Sequence, residues 1–293
     1  MGVKLATGPV TWGVDFADAP GNPPWTTVLD EIQRSGLGAL ELGPVGYLPE
    51  AEHELREALD SRELTAVGSF IFDNMHEAAD RQRVIGEARR ACRAIAAAGG
   101  SILVIIDRPG QRRTPTAGRS GDAVRLDRVE RAEMKATLQA VADVAAQAGL
   151  EAAVHPHAGG FIEFADEIDW VAENTPLNLC LDTGHLAYAG VDPAGAIRCY
   201  AGRVAHVHFK DIVADVHAAV IAERTGFWDA LARPIFCPVG HGVVDIGAVL
   251  QALATIGYDG YATIEQDRVP GAGSPLDDLA ASVATIRAAQ ESI

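Results

Sequence analysis

A chain of 293 residues with 48% hydrophobic residues is long enough to bury a sizeable core and too long for a minimal domain. Its net charge of −16 excludes the basic surface that nucleic-acid phosphates require, so no nucleic-acid partner is expected. No apolar run reaches the roughly 18 residues of a membrane span, and the start "MGVKLATGPVTWG" lacks a signal-peptide pattern, so a cytoplasmic protein without a membrane partner is expected.

The first strand-like run is "VKLATGPVTW" (3–12), followed by an amphipathic helix over "WTTVLDEIQRSG" (25–36). Two further runs, "GALELG" (38–43) and "LTAVGSFI" (64–71), precede a helix over 81–100. "SILVIID" (101–107) is the fourth run, and a helix over 130–149 leads to the fifth, "LEAAVHPH" (150–157). "LNLCLDTG" (177–184), "VAHVHFKD" (204–211) and "YATIEQD" (261–267) complete the series. Several helical segments end in Gly just before the next strand, a C-terminal stop signal.

Eight strand–helix units on a chain of this length predict an α/β fold, a (β/α)8 TIM barrel formed as a single domain over 1–293. An open doubly wound sheet is the competing architecture. Against it, the first run is not followed by GxGxxG and no Walker A sequence occurs. Two longer irregular stretches, 107–128 and 212–246, follow the fourth and seventh runs. In a barrel both emerge at the C-terminal face, where active sites are built, and both are candidate lids. The arginines at 108, 112, 113 and 119 read as a solvated loop, and Glu163, Asp166, Glu167 and Asp169 as a solvated helix start. The cysteines at 92, 180, 199 and 237 are widely spaced and read as buried free thiols.

Strands covered on both faces should be almost continuously apolar. Here polar residues collect at their C-terminal ends: Glu41, Asp107, His155, His157, Asp182, His206, His208, Lys210, Asp211, Glu265 and Asp267, with His185 just beyond the sixth run. A buried carboxylate must be paired, protonated or bound to a cation. Several at one rim make a metal site the economical explanation. The expected ligands are His155, Asp182, His208 and Glu265, one from each of the last four runs. Imidazole plus carboxylate without thiolate suits Mn2+ or Co2+ foremost, with Mg2+, Fe2+ or Zn2+ as alternatives. His206 and His208 share a strand face. His208 lies nearer the rim and is the better ligand, while His206 is expected one layer deeper, hydrogen-bonded inside the barrel.

The segments "LCLDTGHLAYAG" (179–190), "RVAHVHFKD" (203–211), "PVGHGVVD" (238–245) and "TIEQD" (263–267) occur in this order. With "PVTWG" (9–13), "ALELGPVGYLPE" (39–50) and "VHPHAGGFIE" (154–163), they resemble the xylose-isomerase-like barrel superfamily of sugar isomerases, epimerases and dehydratases, and within it the inosose dehydratase branch. The resemblance implies a divalent metal at the barrel mouth on His155, Asp182, His208 and Glu265, a small polyol or sugar substrate, and a chain that assembles as a homodimer or homotetramer. It departs on the fifth strand, where ketose epimerases of this superfamily carry Glu and this chain has His155. It departs again at Gly240-His241-Gly242, where the family's loop often has Glu between the glycines.

Losing the carboxylate at His155 weakens a two-base epimerase and favours a one-directional β-elimination. The expected reaction is therefore metal-dependent dehydration of a polyol ketone such as 2-keto-myo-inositol, with sugar isomerisation or ketose epimerisation as the alternative. A base, Glu265 or Glu41, removes the proton alpha to the carbonyl. Lys210 stabilises the enolate or donates a proton, and His185 hydrogen-bonds a substrate hydroxyl or acts as the acid. Trp12, His157 and His241 complete the expected substrate contacts. A non-catalytic metal-binding barrel and a nuclease are disfavoured, the second because it needs more metal ligands and a basic groove.

Overall fold

A computed structural model describes residues 2–292; residues 1 and 293, the ends of the expected domain, lie outside the described residues. Its ten strands are β1 (Lys4–Thr7), β2 (Ala39–Glu41), β3 (Thr65–Asp73), β4 (Ile102–Asp107), β5 (Glu151–His155), β6 (Asn178–Asp182), β7 (Val204–Phe209), β8 (Asp211–Ile212), β9 (Phe236–Cys237) and β10 (Tyr261–Ile264). Eight of them close a parallel barrel in the order β1-β10-β7-β6-β5-β4-β3-β2, with helices packed outside. The predicted (β/α)8 TIM barrel is the observed fold. The expected helices span Trp25–Arg34, Arg81–Ala97 and Arg128–Gln147. The last starts at a capping box, in which the Asp127 side chain accepts from the Val129 and Glu130 amides.

Strand alternation divides each barrel strand between two environments. On β7, Val207 and Phe209 join the large apolar cluster between barrel and helices, while His206 and His208 turn inward. Parallel register places Asp182 and Thr263 beside His208. The lower interior is filled by Ala6, Ala39 and Val67, then by Phe70, Val104, Ala153 and Cys180. The apolar fill thus supports a polar layer at the C-terminal mouth.

Two expectations about the loops need correction. The first strand stops at Thr7, because Pro9 carries no amide hydrogen and begins a 3-10 turn over Pro9–Trp12. The 107–128 loop is not merely solvated. Arg113 is fully buried and pairs with Glu163 at 3.0 Å and Glu167 at 2.8 Å, both also buried. Its guanidinium lies over the Phe161 and Phe164 rings. The other long stretch begins with the β8–β9 ribbon and contains a short helix, Phe227–Leu231, that leans over the barrel mouth. Of the four free cysteines, Cys92, Cys180 and Cys237 are buried and Cys199 is exposed. No helix among the described residues is long and apolar enough to cross a membrane.

Candidate active site

The four expected ligands converge. His155, Asp182, His208 and Glu265 are buried, and each offers a ligand atom within 4.8 Å of the others. His155 Nε2 is 3.6 Å from Asp182 Oδ2, and His208 Nδ1 is 3.2 Å from Glu265 Oε2. Yet His155 Nδ1, His208 Nδ1 and Asp182 Oδ2 are buried with no hydrogen-bond partner. Leaving a buried polar atom unsatisfied costs about 1–3 kcal/mol; two of these atoms, Asp182 Oδ2 and His208 Nδ1, face each other in the cluster at 3.8 Å and mark a place suited to a cation. Burial pushes the His155 imidazole below its ordinary pKa, which keeps a lone pair available. The donor set is two imidazoles and two carboxylates, which fits a borderline divalent ion.

Behind this cluster, Glu41 corrects the sequence reading. Its Oε1 accepts hydrogen bonds from His206 Nε2 at 2.8 Å, His208 Nε2 at 2.8 Å and Thr263 Oγ1 at 2.6 Å. Burial opposes its charge, but His208 and His206 hold the carboxyl well below its ordinary range. Glu41 is not among the residues that line the cavity at the mouth. It orients His208 from the side away from the ligand cluster, as outer-shell carboxylates do for metal-binding histidines. His206 lies in the deeper layer, as expected, bonded to Glu41 and Thr263.

Lys210 stands between the ligand cluster and the cavity. Its Nζ is 2.5 Å from Asp267 Oδ1, 3.1 Å from His185 Nε2, 3.2 Å from Glu265 Oε2 and 3.3 Å from Asp182 Oδ2. Burial works against its charge, but Asp182, Asp267 and Glu265 hold it well above the ordinary lysine range. It is a fixed ammonium rather than a surface partner of Asp211. The local sequence explains its path. Thr183 Oγ1 donates to the Lys210 carbonyl at 2.6 Å and accepts from its amide at 2.9 Å. A Cβ on Gly184 would come within 2.7 Å of Lys210 Cγ, so only glycine lets the lysine stem pass.

His157 and His185 stack with ring centroids 3.9 Å apart. His185 Nδ1 lies 3.3 Å from the Ala158 amide, and its Nε2 lies 3.1 Å from Lys210 Nζ and 3.4 Å from Asp267 Oδ2. His157 Nδ1 donates to the Ala158 carbonyl at 2.9 Å, which assigns a lone pair to Nε2. Burial, then His185 and His155, push the His157 imidazole well below its ordinary pKa and keep it neutral.

These groups line a narrow cavity at the barrel mouth that is partly open to solvent. Asp15, His155, His157, Lys210, Glu265 and Asp267 form its polar wall. Phe70, Phe72, Phe227, Trp228 and Leu231 form an apolar wall. Phe16 extends that wall, 5.5 Å from the Phe72 ring and 6.2 Å from Trp228.

Two expected substrate contacts fall elsewhere. Trp12 is buried in the outer core, where its indole donates to Glu31 Oε2 at 2.6 Å. His241 is exposed on its loop and does not line the cavity. The glycines flanking it serve Asp211 instead: the Gly240 and Gly242 amides each donate to Asp211 Oδ2 at 2.9 Å. Asp107 is structural too, accepting from the Met75 and Phe161 amides. Sequence reasoning missed Asp15 and the aromatic wall, which sit on loops or on strand positions with no distinguishing pattern.

A family model described as a xylose isomerase-like TIM barrel matches residues 29–289. The chain belongs to this family. Among curated relatives of this xylose isomerase-like barrel, the rhizopine catabolism protein MocC of Rhizobium meliloti is 28% identical, covering 94% of this chain and 85% of that protein. Inosose dehydratase of Geobacillus thermodenitrificans is 26% identical, covering 94% and 93%. A solved structure with a similar fold, the 3-keto-D-glucoside 4-epimerase YcjR of E. coli, superposes with a TM-score of 0.71 at 18% identity, covering 98% of this chain and 99% of that one.

Proposed function

We propose that this chain is a metal-dependent dehydratase, a hydro-lyase acting on a polyol ketone such as 2-keto-myo-inositol. The observation that carries the reading is the cluster of unpartnered buried ligand atoms next to a half-apolar cavity that holds one neutral base and one fixed ammonium. His155, Asp182, His208 and Glu265 would hold a divalent ion, Mn2+ or Co2+ foremost. When bound, it would act as a Lewis acid toward a substrate carbonyl.

The remaining work falls to the chain's own groups. Lys210 donates a hydrogen bond to the oxygen that changes from carbonyl to enolate, where a preorganised charge in a dry site is most effective. His157 Nε2, unprotonated and open to the cavity, takes the proton alpha to the carbonyl. Asp267 and His185 hold Lys210 in place and meet substrate hydroxyls. Phe72, Phe227, Trp228 and Leu231 cover the carbon face and exclude water from the enolate.

The inosose dehydratase relative supports this reading, and so does the fifth strand, which brings His155 rather than a carboxylate to the ligand cluster. A reversible epimerisation returns the proton on the opposite face. Here the fifth-strand position is His155, and Glu41 is occupied by three hydrogen bonds. The test uses metal-stripped protein reloaded with Mn2+ or Co2+ in D2O, with 2-keto-myo-inositol and several ketohexoses, read by mass spectrometry. Metal-dependent loss of one water from the inosose is expected. Deuterium uptake without water loss would overturn the dehydratase reading in favour of an epimerase or isomerase.

A further inference from the structure

Dehydration needs a proton for the departing hydroxyl, and none of the groups assigned above is free to give one. Lys210 is bound by its carboxylates, and His185 faces Asp267. Asp15 differs. It lines the cavity near Asp267, Lys210 and Glu265, on the loop after β1, and it makes no hydrogen bond or ion pair among the described residues.

Its position is built by the fold. Gly13 closes the Pro9–Trp12 turn in the left-handed region at φ 80°, and a Cβ there would meet the Arg268 carbonyl and the Pro270 nitrogen at 2.8 Å. The β1 loop is thereby pressed against the loop after β10. That second loop is itself fixed by the ion pair of Arg268 with Asp278 at 2.9 Å. The contact sets Asp15 on the same wall as Asp267 and Glu265, where carboxylates crowd. Burial, then the neighbouring Asp267, push its carboxyl up to about 7. A carboxyl in such surroundings can carry a proton near neutral pH, as general acids require.

We propose that Asp15 is the catalytic acid of the elimination, a role that rests on the dehydratase reading above. The α C–H bond breaks and its proton goes to His157 Nε2. The electron pair of the resulting enolate forms the new carbon–carbon double bond, and the β C–O bond breaks. The Asp15 carboxyl proton goes to the departing oxygen, which leaves as water. The catalytic groups then return to their starting state by proton exchange with solvent, and no redox partner is needed.

The test compares wild type and D15N on two substrates, the inosose and an analogue with fluorine in place of the β-hydroxyl. Fluoride leaves without protonation. Water loss by D15N is expected to fall about 10²–10⁴-fold, while fluoride release stays within a few-fold of wild type and α-hydrogen exchange in D2O persists. Retained fluoride release also shows that the variant is folded. Asp15→Glu, which restores a carboxyl, is expected to recover part of the water loss. Undiminished water loss in D15N would overturn the assignment, and so would an equal fall on both substrates in D15N without recovery in D15E. If wild type itself removes no water, the dehydratase reading fails, and the assignment falls with it rather than alone.

Discussion

The Glu41→Gln variant separates two roles for a residue that the sequence makes look catalytic. Oε1 of Glu41 accepts from His206, His208 and Thr263, all within 2.8 Å. Glutamine keeps an acceptor oxygen there but removes the negative charge facing His208. Outer-shell substitutions of this kind typically cost about 10–100-fold in metal affinity, or about 1.4–2.7 kcal/mol. The new amide nitrogen would sit where Oε2 now lies, buried and without a partner. That adds about 1–3 kcal/mol of instability. Calorimetric titration with Mn2+ or Co2+ should therefore show a weakened site, and urea unfolding a less stable fold. At saturating metal, kcat should fall by less than about tenfold, because the group that takes the substrate proton is untouched. A general base contributes about 10²–10⁴-fold. A kcat loss of that size at saturating metal, with unchanged metal affinity, would refute the positioning role and return Glu41 to the base.

Three further substitutions test the surroundings of the site. Gly184→Ala drives a methyl group into the Lys210 stem; kcat should fall at least about tenfold through lost orientation, with metal affinity little changed in the same titration. His241→Ala should leave kcat and KM within about twofold, because the side chain is exposed and the flanking amides, not the imidazole, grip Asp211. Glu163 predicts a pH effect on stability: burial outweighs Arg113 and raises its carboxyl from 4.5 to about 7. The folded state then binds the extra proton, so this contribution is present below about 4.5 and is lost as pH rises toward 7, by at most about 1.4 kcal/mol per pH unit. Urea melts of wild type and Glu163→Gln across that window should diverge, and parallel curves would contradict the shift.

The convergence of His155, Asp182, His208 and Glu265 was legible because two rules point to it. Strand alternation says which residues turn inward, and the C-terminal ends of parallel strands say which inward residues reach the mouth. His155, Asp182, His208 and Glu265 satisfy both. Glu41 satisfies both as well, yet it faces the interior, because depth depends on barrel stagger and on the register shift between Leu40 and Glu41. Periodicity carries no information on either. Trp12 was misplaced for a local reason: Pro9 ends the strand early, and the 3-10 turn carries the indole toward the first helix. Arg113, Glu163 and Glu167 read as solvated because isolated charges usually are. Their mutual burial depends on a contact across about fifty residues that no periodic pattern announces. Asp15, Phe227 and Trp228 lie outside the barrel strands, where side-chain direction follows from tertiary packing alone.

Lys210 bears most directly on what kind of chemistry this mouth supports. His157, His185 and Asp267 form a second group of buried side chains with ligand atoms within 4.8 Å of one another. By composition alone they could hold another cation. The Lys210 ammonium already serves two of them, at 2.5 Å from Asp267 and 3.1 Å from His185. A tethered ammonium supplies positive charge and donor hydrogens but cannot bind and activate a water nucleophile. Two-metal hydrolysis depends on that second centre, with ions about 3.5–4 Å apart. Charge without a nucleophile suits a reaction in which an enolate forms and collapses. The net charge of −16 points the same way, since it gives a phosphodiester backbone nothing to approach. Replacing a metal by a lysine thus favours elimination over hydrolysis on the proposed reading, and the aromatic wall, by keeping bulk water out, works in the same direction.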